Sequence, residues 1–147
     1  MAENSGEKTF WEIIDLFDWE DEESTLEPAI EYLSKQDDES IFSFDEQLAQ
    51  YLYDLDGIRL GELFMKANDN YLSPDMFLYC RCMMVAQGEK YYNAIKNGSS
   101  PTEDFWEMDF EDLLYLASEA WERKHPGLEY PYIGSGVGET GMNEDKW

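Results

Sequence analysis

Apolar residues recur at three- and four-residue steps along most of the chain, the spacing that gives a helix one buried face. Phe10, Ile13, Ile14 and Phe17 form the first such stripe. Thr9 stands before it with Glu12 three residues on, so side chain and backbone can satisfy each other's free N–H groups as a capping box. A second helix is expected from Ser24 and Thr25, with Pro28 in its first turn and Leu26, Ile30 and Leu33 inward. After "QDDES" a third carries Ile41, Phe44, Leu48, Tyr51 and Leu55 on one face. Gly57 and Gly61 loosen a fourth, "GIRLGELFMKAND".

The fifth helix is the best marked. Ser73 and Pro74 suit the N-cap and first positions, Asp75 complements the dipole, and Gly88 is placed to end it. Between them "MFLYCRCMMVAQ" is apolar almost all round, with Arg81 its one charge, which is the pattern of a helix at the centre of a bundle. "EKYYNAIKNG" gives a short sixth helix. "SPTED" reads as another capping box, and a last helix is expected from Phe110 to Lys124, with Phe110, Leu113, Leu114, Ala117 and Trp121 inward. Only "EYPYI" could be extended, and its prolines favour an edge or a loop. The pattern predicts an all-α, single-domain bundle of about six or seven helices. Residues 1–8 form an N-terminal arm, 9–131 the helical domain, and 132–147 a glycine-rich, flexible tail.

Charge changes this picture most. The 147 residues carry 34 acids against 10 Lys and Arg, a net charge of −24. Residues 1–50 hold 16 acids and 2 bases, residues 51–100 hold 6 and 5, and residues 101–147 hold 12 and 3. Such a chain repels nucleic acid and anionic membranes, and neither is expected as a partner. No run reaches the length of an apolar membrane span, and the first residues lack a charged segment followed by an apolar one, so a cytoplasmic location is expected. Cys80 and Cys82 are the only cysteines. Two positions apart on a helix they point about 200° from each other, so they neither bridge nor chelate.

Several motifs can be set aside. An EF-hand loop begun at Asp18 would need Gly and Glu where Glu23 and Ala29 stand. "ERKH" has the Glu-x-x-His spacing of helical di-iron sites, but the chain has one histidine; Arg123, Lys124 and His125 instead offset the negative end of a helix dipole. "GVGETG" satisfies G-x-G-x-x-G at Gly136, Gly138 and Gly141, yet lacks a strand before it and a helix after it. No nucleophile elbow occurs, and nothing singles out a catalytic pair among the 34 acids; neither an enzyme nor a metal or cofactor site is expected. Arg81, buried, must have a partner, and Asp15 on the first helix is the expected one, as a core-fixing ion pair.

The run "YLSPDMFLYCRCMMVAQGEKYYNAIKNGSSPTED" resembles the middle of a bacterial domain-of-unknown-function family catalogued under the number 4240. Phe10, Trp11, Ile14 and Asp15 match its opening pattern, and Ser73, Asp75, Phe77, Arg81, Gln87 and Gly88 match its centre. "EDLLYLASEAWERKHPGLEYP" resembles its closing helix. Where the family usually has an aromatic before the Arg and a Trp after it, this chain has Cys80 and Cys82. The resemblance implies a small, mainly helical bacterial protein and supplies no reaction.

Two segments share one composition, carboxylates interleaved with aromatic rings. The first holds Asp18, Trp19, Glu20, Asp21, Glu22 and Glu23, and the second Glu103, Asp104, Phe105, Trp106, Glu107 and Asp109. Interface cores favour Trp, Tyr and Phe, and charge around them selects the partner. The expectation is an acidic protein-binding domain with a basic partner. Its most concrete form is an immunity protein that neutralises a toxin, a nuclease above all, by occupying its active cleft. The alternative is a housekeeping or regulatory domain whose acidity serves solubility.

Overall fold

A computed structural model describes residues 8–147. Among these residues seven α-helices follow in order: α1 (Phe10–Ile14), α2 (Glu27–Ser34), α3 (Asp38–Leu55), α4 (Ile58–Ala67), α5 (Pro74–Ala86), α6 (Glu89–Lys96) and α7 (Leu116–Lys124). Among the described residues there is no strand, and no helix is long and apolar enough to cross a membrane. Residues 1–7 of the expected N-terminal arm lie outside the described residues.

The caps explain where the helices begin. Thr9 Oγ1 accepts from the Glu12 N–H at 3.2 Å and Glu12 Oε1 accepts from the Thr9 N–H at 2.9 Å, completing the expected box. Asp37 caps α3 through the Ser40 N–H at 2.8 Å, and Ser73 caps α5 through the Met76 N–H at 3.3 Å. Gly88 links two helices: its φ of +106°, open to a residue without Cβ, turns the chain from α5 directly into α6. The second helix starts later than expected, at Glu27, because residues 16–26 form a loop of their own.

Helix α5 is the axis of the bundle. Phe77, Leu78, Cys80, Arg81, Cys82, Met84, Val85 and Ala86 are all buried on it, as its all-round apolarity requires. Burial pushes both thiols up to about 12, which leaves them protonated. Helix α3 packs on α5 and α7, α2 lies against α7, and α6 against α5. The inward face of α3 is Ile41, Phe44, Leu48, Leu52 and Leu55; Tyr51, expected there, is half-buried at its margin. At that margin Phe10 stacks on Phe44 at 4.7 Å, and Trp11 lies 4.8 Å from Tyr51 and 5.2 Å from Tyr92.

Two expectations about local structure fail for tertiary reasons. The segment after "SPTED" forms a 3-10 turn at Glu103–Glu107 with no side-chain cap, and the last α-helix begins only at Leu116, after a second 3-10 turn at Glu111–Tyr115. The chain between the turns is pinned to α5: the Phe110 N–H donates to Tyr79 O at 3.1 Å and the Cys80 thiol to Met108 O at 3.1 Å. That holds Met108 extended and interrupts the helix.

The glycine-rich tail, expected to be flexible and apart from the domain, is instead packed on the bundle. Tyr130 and Tyr132 donate through their hydroxyls to Asp45 (3.0 Å) and Glu46 (3.1 Å) of α3. Trp147 sits against Gly61, where an added Cβ would stand 2.5 Å from the indole ring. Gly61 therefore makes room for the tail rather than loosening a regular α4.

Candidate functional site

The acidic loop between α1 and α2 is built from tight turns. The Asp18 N–H donates to Thr25 O at 2.9 Å, the Glu20 N–H to Asp18 Oδ1 at 3.1 Å, and the Ser24 N–H to Asp21 O at 3.1 Å. Thr25 Oγ1 also donates to Asp21 O at 3.0 Å. Tied by these turns, the loop leaves Asp18 and Glu20 to Glu23 outward, and all five are exposed. Phe17 is buried beneath them.

Trp19 belongs to neither core nor loop backbone. It is 48% exposed, a large apolar ring left half in water. Its inner edge meets Phe17 at 6.1 Å and Phe110 at 5.5 Å. Phe110 directly follows Asp109 at the end of the second acidic segment, so the two segments do meet. A depression of about 210 Å³ beside this contact is walled by Glu22, Glu23, Glu27, Asp112 and Glu119, with Ile30 and Phe110 also lining it. One cation stands nearby: Arg123 grips Glu27 through two bonds of 2.6 and 3.0 Å, which hold the Glu27 carboxyl below its usual range.

The second segment divides. Glu103, Asp104, Glu107 and Asp109 are exposed. Phe105 and Trp106, expected as partner-binding rings, are buried, 6% exposed each. Phe105 stacks on Tyr91 of α6 at 5.7 Å, and Trp106 meets Phe64 of α4 edge-on at 5.9 Å. They anchor the 3-10 turn to the bundle and are unavailable to a partner. The contact that joins the acidic thirds is Trp19 on Phe110, not the Phe105–Trp106 pair. Among the described residues, none of the exposed acids of these two segments forms an ion pair.

The expected pair of Arg81 with Asp15 does not exist. Asp15 is exposed at the end of α1. Arg81 is fully buried and donates through Nη1 to the carbonyls of Leu52 (2.8 Å) and Gly138 (3.0 Å), and through Nη2 to Thr140 Oγ1 (2.8 Å). Its guanidinium lies 4.7 Å from the centre of the Phe77 ring. Burial lowers its pKa, and the charge of Asp56 opposes that shift. One carbonyl from the last turns of α3, one from the tail and the Thr140 hydroxyl satisfy the donors that a carboxylate was expected to satisfy. Among the described residues, the Nε of Arg81 has no hydrogen-bond partner.

Asp56 was missed by the sequence reading. It is fully buried, and its carboxylate accepts from the N–H groups of Gly141 and Asn143 and from the Trp147 indole. The available signal was a carboxylate directly after an apolar helical stripe and before a glycine, together with a tryptophan in a tail otherwise rich in glycine.

At the end of α7, Lys124 and His125 do more than offset a dipole. Lys124 Nζ donates to Asp38 Oδ1 at 2.8 Å, and His125 Nε2 lies 3.0 Å from the same oxygen. These bonds hold the Asp38 carboxyl down at about 2.

Fold and surface together define a small all-helical domain with a densely tied centre and one acidic flank. The chain belongs to the family described as "Protein of unknown function (DUF4240)", whose model matches residues 6–123. No curated protein and no solved structure matches it.

Proposed function

We propose that this chain is a non-enzymatic protein-binding domain whose docking face is the acidic flank around Trp19, and whose partner is a basic protein. One observation carries the reading: a tryptophan left 48% exposed is fixed on Phe110 at 5.5 Å beside Asp18 and Glu20 to Glu23, which form no ion pair among the described residues. Covering the exposed half of such a ring stabilises a complex by about 2–3 kcal/mol. The surrounding acids speed encounter with a basic surface and reject acidic ones. Its most concrete form is a bacterial immunity protein. The carboxylates of Glu20 to Glu23 would stand where phosphates sit in the cleft of a toxin that cuts nucleic acid.

The test is capture followed by inhibition. The protein is fixed on resin, lysate of its own source is passed over it, and a salt gradient elutes what binds. The expected product is one stoichiometric basic protein, released at moderate or high salt, whose nuclease activity an equimolar amount of this chain blocks. Trp19→Ala and alanine in place of Glu20 to Glu23 should each weaken capture. If the quadruple variant captured and inhibited as well as the parent, the acids would serve solubility only.

A further inference from the structure

Residues 138–147 cross one side of the bundle, and the helices bond several of the polar groups they bring. The carboxylate of Asp56 is fully buried at the end of α3, and among the described residues all its hydrogen bonds come from this segment. The Gly141 N–H donates to Oδ2 at 2.9 Å and to Oδ1 at 3.2 Å, the Asn143 N–H to Oδ2 at 3.0 Å, and the Trp147 indole N–H to Oδ1 at 2.9 Å. On the facing wall Arg81 donates to Gly138 O and to Thr140 Oγ1, while the Thr140 hydroxyl donates to Pro74 O at 2.7 Å. A helix end leaves its last carbonyls without intrahelical partners. Here Asn143 Nδ2 reaches Tyr53 O at 2.9 Å and Lys146 Nζ reaches Asp54 O at 2.7 Å. Trp147 fills the notch over Gly61 and meets Phe77 edge-on at 6.0 Å.

Three features separate this segment from the helices it covers. It makes no α-helix of its own, only a 3-10 turn at Glu144–Lys146. It hangs from α7 through a connection in which Ile133 is 92% exposed. The family match ends at residue 123, so two buried charges inside the matched region, Asp56 and Arg81, draw partners from a segment beyond it. From these we infer that the groove between the end of α3, the start of α4 and α5 is a peptide-recognition site. Residues 138–147 are its intramolecular ligand, docking and releasing as a unit.

The ligand class follows from the walls. The groove takes a turn-rich, glycine-containing segment that delivers N–H groups and an indole to a buried carboxylate, and an oxygen pair to a buried guanidinium. In cis the segment competes at the effective concentration set by its short tether, about millimolar, so it excludes weaker segments while attached. This site is separate from the acidic flank, and its failure would leave the reading of that flank standing.

The test begins with the full folded chain. A sequence-specific protease site is inserted after Ile133, the protein is cleaved once folded, and the released peptide is separated. A labelled synthetic peptide of residues 134–147 is then added back. The domain should keep its far-ultraviolet helix signal and bind the peptide saturably at one site. A peptide carrying Trp147→Ala should bind at least about tenfold more weakly, and one carrying Thr140→Val should also lose affinity. Substitutions in the peptide leave the domain's own sequence intact, so the comparison does not depend on a variant folding. If the helix signal collapsed when the peptide left, the segment would be part of the fold and not a ligand. If the altered peptides bound like the parent, the recognition would be wrong.

Discussion

Two of the places where tryptophan stands beside carboxylate, Trp147 at Asp56 and Trp19 at Glu20 to Glu23, have opposite consequences. At Asp56 the carboxylate is fully buried, accepts from two backbone N–H groups and the Trp147 indole, and has Arg81 across the groove. At Glu20 to Glu23 the carboxylates are exposed, form no ion pair among the described residues, and stand around a Trp19 that is itself half in water. Between the two lies Asp38, half-buried and bonded to Lys124, with His125 near. The same functional groups serve stability where their bonds are complete and the site is dry, and remain available for recognition where neither holds. Chemical type does not separate the two roles; the completeness of the partners does.

The sharpest way to break that contrast is to remove the buried carboxylate. Asp56→Ala leaves three N–H donors without their acceptor and Arg81 without its counter-charge. It should cost about 3–5 kcal/mol of unfolding free energy, read by urea titration followed by circular dichroism. Asp56→Asn keeps one acceptor oxygen and should cost less. The next largest effect is steric. Gly61→Ala sets a Cβ into the space of the Trp147 ring. It should cost about 1–3 kcal/mol and shift tryptophan emission to the red as the indole is displaced. A Gly61→Ala protein with unchanged stability and emission would mean that the tail contributes little to the fold.

How much of this was legible beforehand follows from the range of each interaction. Helix α5 could be read because its signals are local: Ser73 and Pro74 at its start and apolar residues on every side. The Thr9–Glu12 capping box was readable for the same reason. The tail was not, since its bonds to Asp56 span 85 to 91 positions and a local run of glycine reads as a linker. Nor could a charge count find the partners of Arg81, which are mostly backbone carbonyls. At the acidic flank, the exposure of Glu20 to Glu23 followed from their sequence. The inward turn of Phe105 and Trp106 did not, because neighbouring rings of one composition are sorted only by what packs against them. Phe110, the residue that joins the two segments, carries no local mark of that contact.

Asp38 sharpens the comparison because it is accessible yet bonded. Its folded pKa of about 2 lies below the value near 4 of an unfolded aspartate. A depressed carboxyl adds stability that is fully present above the unfolded value and is lost as pH falls through the folded one. Melting temperature should therefore fall between pH 4 and pH 2. Asp38→Asn should remove this share of the slope and leave stability above pH 5 lowered. Other depressed carboxyls, Glu12, Asp37, Glu27 and Glu46 among them, keep the remaining slope. If the variant kept the full slope, the ties from Lys124 and His125 would be geometrically present but energetically silent, as exposed pairs often are.

The smallest effect on stability should come from the residues that matter most to the proposed partner. Replacing Glu20 to Glu23 with alanine removes four like charges that face water with no partner to lose. The melting temperature should move by less than about 2 °C, and upward at low salt, because the net charge of −24 repels itself. Raising salt should stabilise the parent more than this variant, since screening relieves a repulsion the variant has partly shed. A substantial fall in melting temperature would mean that these acids hold the loop together, and the division between bonded and available carboxylates would fail at the place where it was drawn. A flat or rising one, combined with loss of partner capture, would show four residues kept at a cost to stability for what they bind.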